Sequence, residues 1–144
     1  MYTDFAKQLT SFMNPEDIKF EEPMKNHTSF RVGGPAKVFL TIRSDKILNR
    51  VINELREKNL PYFVLGNGSN LLVSDDGYEG VIVWLGEEFA QIQMEGARIT
   101  AGAAAFLGKV ARNAMEAGLA GLEFASGIPG SLGGGVVMNA GAYG

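Results

Sequence analysis

The sequence contains no cysteine and a single histidine, His27. Without a thiol there is no disulfide scaffold, thiolate metal site or cysteine nucleophile. One histidine likewise excludes a multi-histidine metal centre. No apolar run approaches the roughly 20 residues of a membrane-spanning helix. The start, Met1 to Asn14, lacks the apolar core of a secretion signal. The 13 lysines and arginines are scattered among 16 acidic residues, giving a net charge of -3 and no basic stripe for nucleic acid. A soluble cytoplasmic protein with no membrane or nucleic-acid partner is the expectation.

Glycine, by contrast, is abundant. Of 19 glycines in 144 residues, nine fall between Gly118 and Gly144. Such enrichment without a short repeat points to backbone brought close to a ligand or to other backbone. The chain stops inside this region, at Ala-Gly-Ala-Tyr-Gly, and reads as a fragment of a longer protein.

Residues 3–13 place Phe5, Leu9, Phe12 and Met13 on one helical face. Residues 14–36 read as loop, with Phe30 and Val32 flanking Arg31 as in a short strand. Lys37 to Ile42 is rich in β-formers. Ser44 can cap a following helix that runs to about Lys58 and ends at Asn59 and Pro61, and Tyr62 to Leu65 reads as a buried strand. Strand, helix, strand over this span is a βαβ unit and predicts a parallel pair with a right-handed crossover. Leu71 to Val73 reads as extended, Asp75 to Gly80 as a turn and Val81 to Leu85 as a strand. A hairpin is expected around Gly96-Ala97, then a helix ending at Gly118.

Two glycine-rich loops carry the candidate chemistry. Gly66-Asn67-Gly68-Ser69-Asn70 follows a strand, where α/β proteins commonly bind ligands. Its glycines permit positive φ, and successive N–H groups can form an anion nest that suits a diphosphate; a tight Asn-Gly turn explains the same residues. The loop matches neither the P-loop nor the Rossmann fingerprint. The second loop runs from Ser126 through Gly127, Ile128, Pro129 and Gly130 to Gly133, Gly134 and Gly135. A helical start near Ser131 would aim free N–H groups outward. Three successive glycines cost about 1 kcal/mol each in a helix interior, so they imply close approach of a ligand or close packing of chain segments.

Four segments occur in order: Asn26 to Ala36 (NHTSFRVGGPA), Gly66 to Leu72 (GNGSNLL), Gly121 to Ser131 (GLEFASGIPGS) and Met138 to Gly144 (MNAGAYG). Together they resemble the front half of the bacterial UDP-N-acetylenolpyruvoylglucosamine reductase family, from about Glu22 onward. The resemblance implies an α+β fold, the FAD-binding domain of the vanillyl-alcohol oxidase (p-cresol methylhydroxylase) type. It implies two small α+β subdomains, here truncated, clasping a non-covalent FAD. The expected division is 1–21 as lead-in, 22–85 as first subdomain and 86–144 as an incomplete second one, without the substrate-binding domain.

In the family, the segment matching Gly66, Asn67, Gly68, Ser69 and Asn70 holds the diphosphate through backbone N–H groups. The segment matching Ser126, Gly127, Ile128, Pro129 and Gly130 lies along the flavin, and those matching Gly133, Gly134, Asn139, Gly141 and Ala142 complete the channel. The implied reaction reduces the enolpyruvyl ether of a UDP-sugar, with NADPH as reductant, in cell-wall precursor synthesis. The family's Tyr-Arg pair, proton-donating serine and late glutamate have no matching position here, so the chain is expected to hold FAD without the catalytic machinery.

Among single residues, His27 reads as an ordinary loop histidine rather than a covalent flavin attachment. Arg31 pairs with a phosphate, or is a solvated or structural arginine. Tyr143 stacks near the flavin or anchors the tail, and Glu123 hydrogen-bonds loop backbone or lies at the surface. A non-catalytic flavin module, a flavin oxidase of the same fold and a purely structural domain are the competing readings. An open sheet edge would invite self-association.

Overall fold

The computed structural model describes residues 1–142. The chain divides into two compact units, one spanning Met1–Leu85 and one beginning at Gly86. Mixed helix and strand make up both.

The first unit opens with helix α1, Tyr2–Leu9, which buries Phe5, Ala6 and Leu9. The chain then forms strand β1, Ile18–Pro23, in a stretch that the sequence presents as loop. Its composition hides it: Lys19, Glu21 and Glu22 are poor strand formers, and pairing with a neighbour decides the conformation. That neighbour is β2, Pro35–Ile42, which runs antiparallel to it with Phe20 opposite Val38. The short strand expected around Phe30 to Val32 does not form. Phe30 lies in a turn, and Arg31 takes a left-handed φ of 55°.

Helix α2, Asp45–Glu57, starts where Ser44 Oγ accepts a hydrogen bond from the Ile47 N–H at 3.3 Å. It ends on Asn59 at φ 51°. There the N–H groups of Asn59 and Leu60 donate to the carbonyls of Arg56 and Leu55, the paired bonds of a Schellman stop. Val51 and Leu55 are fully buried. Gln8 Nε2 donates to Glu54 at 2.9 Å, and the Arg50 guanidinium lies 3.8 Å over the Phe12 ring, so α2 also meets the N-terminal segment through polar side chains.

Strand β3, Tyr62–Leu65, is parallel to β2, as the βαβ reading requires, but the two are not neighbours. Strand β4, Tyr78–Leu85, lies between them and is parallel to both, giving the order β1-β2-β4-β3. Its run Val81-Ile82-Val83 is buried on both faces and claims the centre. β3 is thus an edge strand, with Phe63 and Val64 exposed rather than buried.

Alternation along β2 assigns the faces. Val38, Leu40 and Ile42 are fully buried. Phe39 joins Met24, Ala36, Leu65 and Ile82 in a separate cluster, against which Leu71, Val73 and Trp84 pack. Elsewhere in the unit, Asp17 is buried by pairing with Arg43, whose Nε donates to its two oxygens at 2.9 and 3.0 Å. Residues 1–21, set apart by the sequence as a lead-in, therefore belong to the first unit.

In the second unit, β5, Ile92–Glu95, and β6, Arg98–Ala101, form the expected antiparallel hairpin, with Gly96 at φ 59°. Helix α3, Leu107–Glu116, buries Leu107, Val110, Ala111 and Ala114 and stops at Gly118, φ 68°. A short 3-10 turn over Glu123–Gly127 precedes helix α4, Leu132–Val137. Leu107, Ala111 and Ala125 form this unit's core, with Leu122, Ile128 and Leu132 against it.

Because Leu40 is wholly buried, Leu40→Ala is expected to destabilise the first unit by about 2–5 kcal/mol. Urea unfolding followed by circular dichroism measures the loss.

Candidate functional site

The loop Gly66 to Asn70 leaves the carboxyl end of β3, with buried Leu65 before it and Leu71 and Val73 packed on the same cluster after it. Anchors on both sides fix a segment with no regular structure of its own. Gly68 takes a φ of 63°, and a Cβ there would collide with the carbonyl oxygen of His27. Its own carbonyl accepts from the Ser29 N–H at 3.0 Å. Gly68 is therefore demanded by protein backbone, and the loop is stapled to the turn that follows His27.

What remains open is the donor set. Asn67 and Asn70 carry backbone N–H groups from which nothing accepts among the described residues, and Asn70 is exposed. A left-handed residue between such donors is the backbone form of an anion nest. Neutral N–H and amide donors with a close backbone approach suit a diphosphate, so the residues present fit the group that a dinucleotide cofactor brings.

The second loop is built differently. Gly121 N–H donates to the Glu123 carboxylate at 2.8 Å, and Ser126 Oγ donates to the Glu123 carbonyl at 2.8 Å. Glu123 is thus both exposed and bonded to loop backbone, and hydrogen bonds from backbone, its own and that of Gly121, hold its carboxyl below the usual range. Ser126, Gly127 and Pro129 are exposed, whereas the Ile128 side chain packs on the core and its N–H donates to the Ala125 carbonyl.

The helical start at Ser131 exists, but its N–H groups are not free. Leu132 donates to Ala105, Gly133 to Ala103, Gly134 to Ser131 Oγ and Gly135 to the Ser131 carbonyl. Four intramolecular acceptors leave no outward-facing N–H in that first turn, and Phe106 and Ser131 pair beside it in an antiparallel bridge. Packing selects Gly133: a Cβ there would lie 2.9 Å from the Ala103 Cβ. Asn139, at φ 49°, stops α4 with Ala140 N–H donating to Gly135 at 2.8 Å. Gly141 is exposed, and a Cβ there would meet nothing within 4 Å among the described residues; Ala142 is half-buried. Tyr143 lies outside the described residues.

His27 is held as an ordinary loop histidine. Its Nε2 lies 2.8 Å from Glu22 Oε1, and its ring stacks on Phe39 with centroids 4.2 Å apart. Sequence reasoning gave the turn Thr28 to Gly34 no role in the loop's geometry. The pair Gly33-Gly34 was its available signal: a Cβ on Gly33 would lie 2.7 Å from the Val73 Cβ, so this turn and the glycine loop fit only together.

Two outcomes test this geometry. Gly68→Ala is expected to cost more than about 1 kcal/mol, because alanine resists positive φ and meets the His27 carbonyl; thermal unfolding reads the loss. Partial burial pushes the Glu22 carboxyl up, but the His27 hydrogen bond and Lys19 outweigh it and hold the pKa below the usual range. A depressed folded pKa adds stability above the unfolded glutamate value, lost as pH falls through the folded one. Carbon-detected NMR should show Glu22 titrating below an ordinary glutamate, and moving up in His27→Ala.

Comparison with known proteins gives these features a context. Residues 36–144 match the family described as "FAD binding domain". UDP-N-acetylenolpyruvoylglucosamine reductase of Clostridium novyi is 49% identical over 140 residues, covering 97% of this chain and 45% of that protein. The chain thus spans about half the length of the curated relatives it matches. The crystal structure of the Thermus caldophilus reductase aligns over 83% of this chain and 41% of its own, with a TM-score of 0.69 and 39% identity. p-Cresol methylhydroxylase, 13% identical, shares the fold over 82% of this chain and 25% of its own, with a TM-score of 0.56. No helix among the described residues is long and apolar enough to cross a membrane. The chain belongs to the FAD binding domain family.

Proposed function

We propose that this chain is the cofactor-holding part of a cytoplasmic, NADPH-dependent flavin reductase. The parent reaction converts UDP-N-acetylglucosamine enolpyruvate to UDP-N-acetylmuramate for peptidoglycan, and so serves cell-wall growth, shape and division. The observation that carries this reading is the anchored loop Gly66 to Asn70, with open N–H donors at Asn67 and Asn70, inside a chain 49% identical to such a reductase.

Non-covalent FAD, when bound, supplies two-electron transfer between NADPH and the enolpyruvyl carbon–carbon double bond. The chain's own residues bind and orient. Asn67, Gly68 and Asn70 offer neutral donors to the diphosphate, and Gly66 and Ser69 complete the loop around it. The backbone from Ser126 to Gly130, exposed at Ser126, Gly127 and Pro129, serves the flavin, and Gly133, Gly134, Asn139, Gly141 and Ala142 shape its channel. In that division Gly133 and Asn139 act by setting the path of α4. No residue here takes a catalytic role, since no position matches the family's Tyr-Arg pair, serine or late glutamate. The UDP-sugar is the parent enzyme's substrate. The exposed edge strand β3 offers this chain a route to self-pairing.

Purified protein mixed with FAD and passed through gel filtration is expected to retain the visible flavin bands while showing no NADPH-dependent reduction of the enolpyruvyl sugar nucleotide. Flavin-free protein would overturn the cofactor assignment, and turnover by this chain alone would overturn the division of labour.

A further inference from the structure

We propose that Arg31 supplies the positive charge that neutralises the cofactor's diphosphate, a role that rests on the FAD-binding reading above. The loop Gly66 to Asn70 contains neutral donors only, and Asp75 and Asp76 follow it closely in the chain. Neutral donors suit a diphosphate, and a guanidinium beside them would add charge-assisted hydrogen bonds that the loop itself cannot supply.

The turn bearing Arg31 is tied to the glycine loop at both ends. Ser29 N–H donates to the Gly68 carbonyl at 3.0 Å, and Gly34 N–H donates to the Ser74 carbonyl at 2.8 Å. These two bonds bracket Asn70 on one side and Arg31 on the other. Within the turn, Arg31 N–H donates to the Thr28 carbonyl at 3.2 Å, and Thr28 Oγ1 donates to the Val32 carbonyl at 3.1 Å. The backbone beneath the arginine is therefore fixed relative to the open donors.

Arg31 is exposed, and among the described residues no carboxylate pairs with it, so its guanidinium is not committed to an ion pair. Its backbone is left-handed, a conformation that glycine adopts without strain and arginine does not. The turn would form with less backbone strain if glycine stood in place of Arg31. A guanidinium presents a planar fork of donors that matches phosphate oxygens in pairs.

Arg31→Gly separates this role from a structural one, because it removes the charge and relieves the backbone together. FAD titrations followed by flavin fluorescence, at low and high salt, are run beside thermal unfolding of the unsubstituted chain, Arg31→Gly and Arg31→Lys. Arg31→Gly is expected to unfold at the same or a higher temperature, bind FAD about tenfold more weakly and lose part of the salt dependence. Arg31→Lys should fall between the two. Equal FAD affinity and equal salt dependence for the unsubstituted chain and Arg31→Gly would overturn the assignment and leave the FAD reading intact. Absence of FAD binding by the unsubstituted chain would overturn the FAD reading, and this assignment with it.

Discussion

The backbone of Gly68 lies against the carbonyl of His27 with no room for a side chain, and the glycine loop takes its shape from that approach. Around it, the Ser29 to Gly68 hydrogen bond, the Gly33 contact with Val73 and the Gly34 to Ser74 hydrogen bond form a continuous seam. Two irregular segments, neither able to satisfy itself internally, satisfy one another. Buried polar backbone requires partners, and here the partners come from a second loop rather than a sheet. The seam leaves Asn67 and Asn70 with donors unspent.

The hydrophobic cluster that flanks the seam holds it in place. Met24 before the turn and Leu65, Leu71 and Val73 around the glycine loop converge on Phe39 and Ile82. Those two residues occupy the central strands β2 and β4 of the parallel core. A ligand site made of loops thus inherits the rigidity of the sheet. The second unit uses the same economy of backbone: Ala103 and Ala105 accept the first N–H groups of α4, so that helix is pinned at its start and glycine is required where it touches.

His27 shows how one residue serves both layers. Its ring stacks on Phe39 and bonds Glu22, while its carbonyl abuts Gly68. The Glu22 carboxylate is stabilised by a partner whose main chain shapes the loop. Arg31, a few residues on, leaves that packed environment and faces solvent, where its charge remains available.

Local pattern alone determined much of this protein. Helical spacing placed α1, α2 and α3, Ser44 and Ser131 marked the caps, and Asn59 and Gly118 marked two stops, because each depends on neighbours within a few residues. The ordered segments also carried the family. Tertiary structure decided what depends on distant partners. It made Ile18–Pro23 a strand by pairing it with β2, placed β4 between β2 and β3, and moved Phe63 and Val64 to an edge. It also separated the glycines by cause: Gly68 answers to the His27 backbone and Gly133 to Ala103, contacts made by residues far away in the chain, which no local reading of the loops contains.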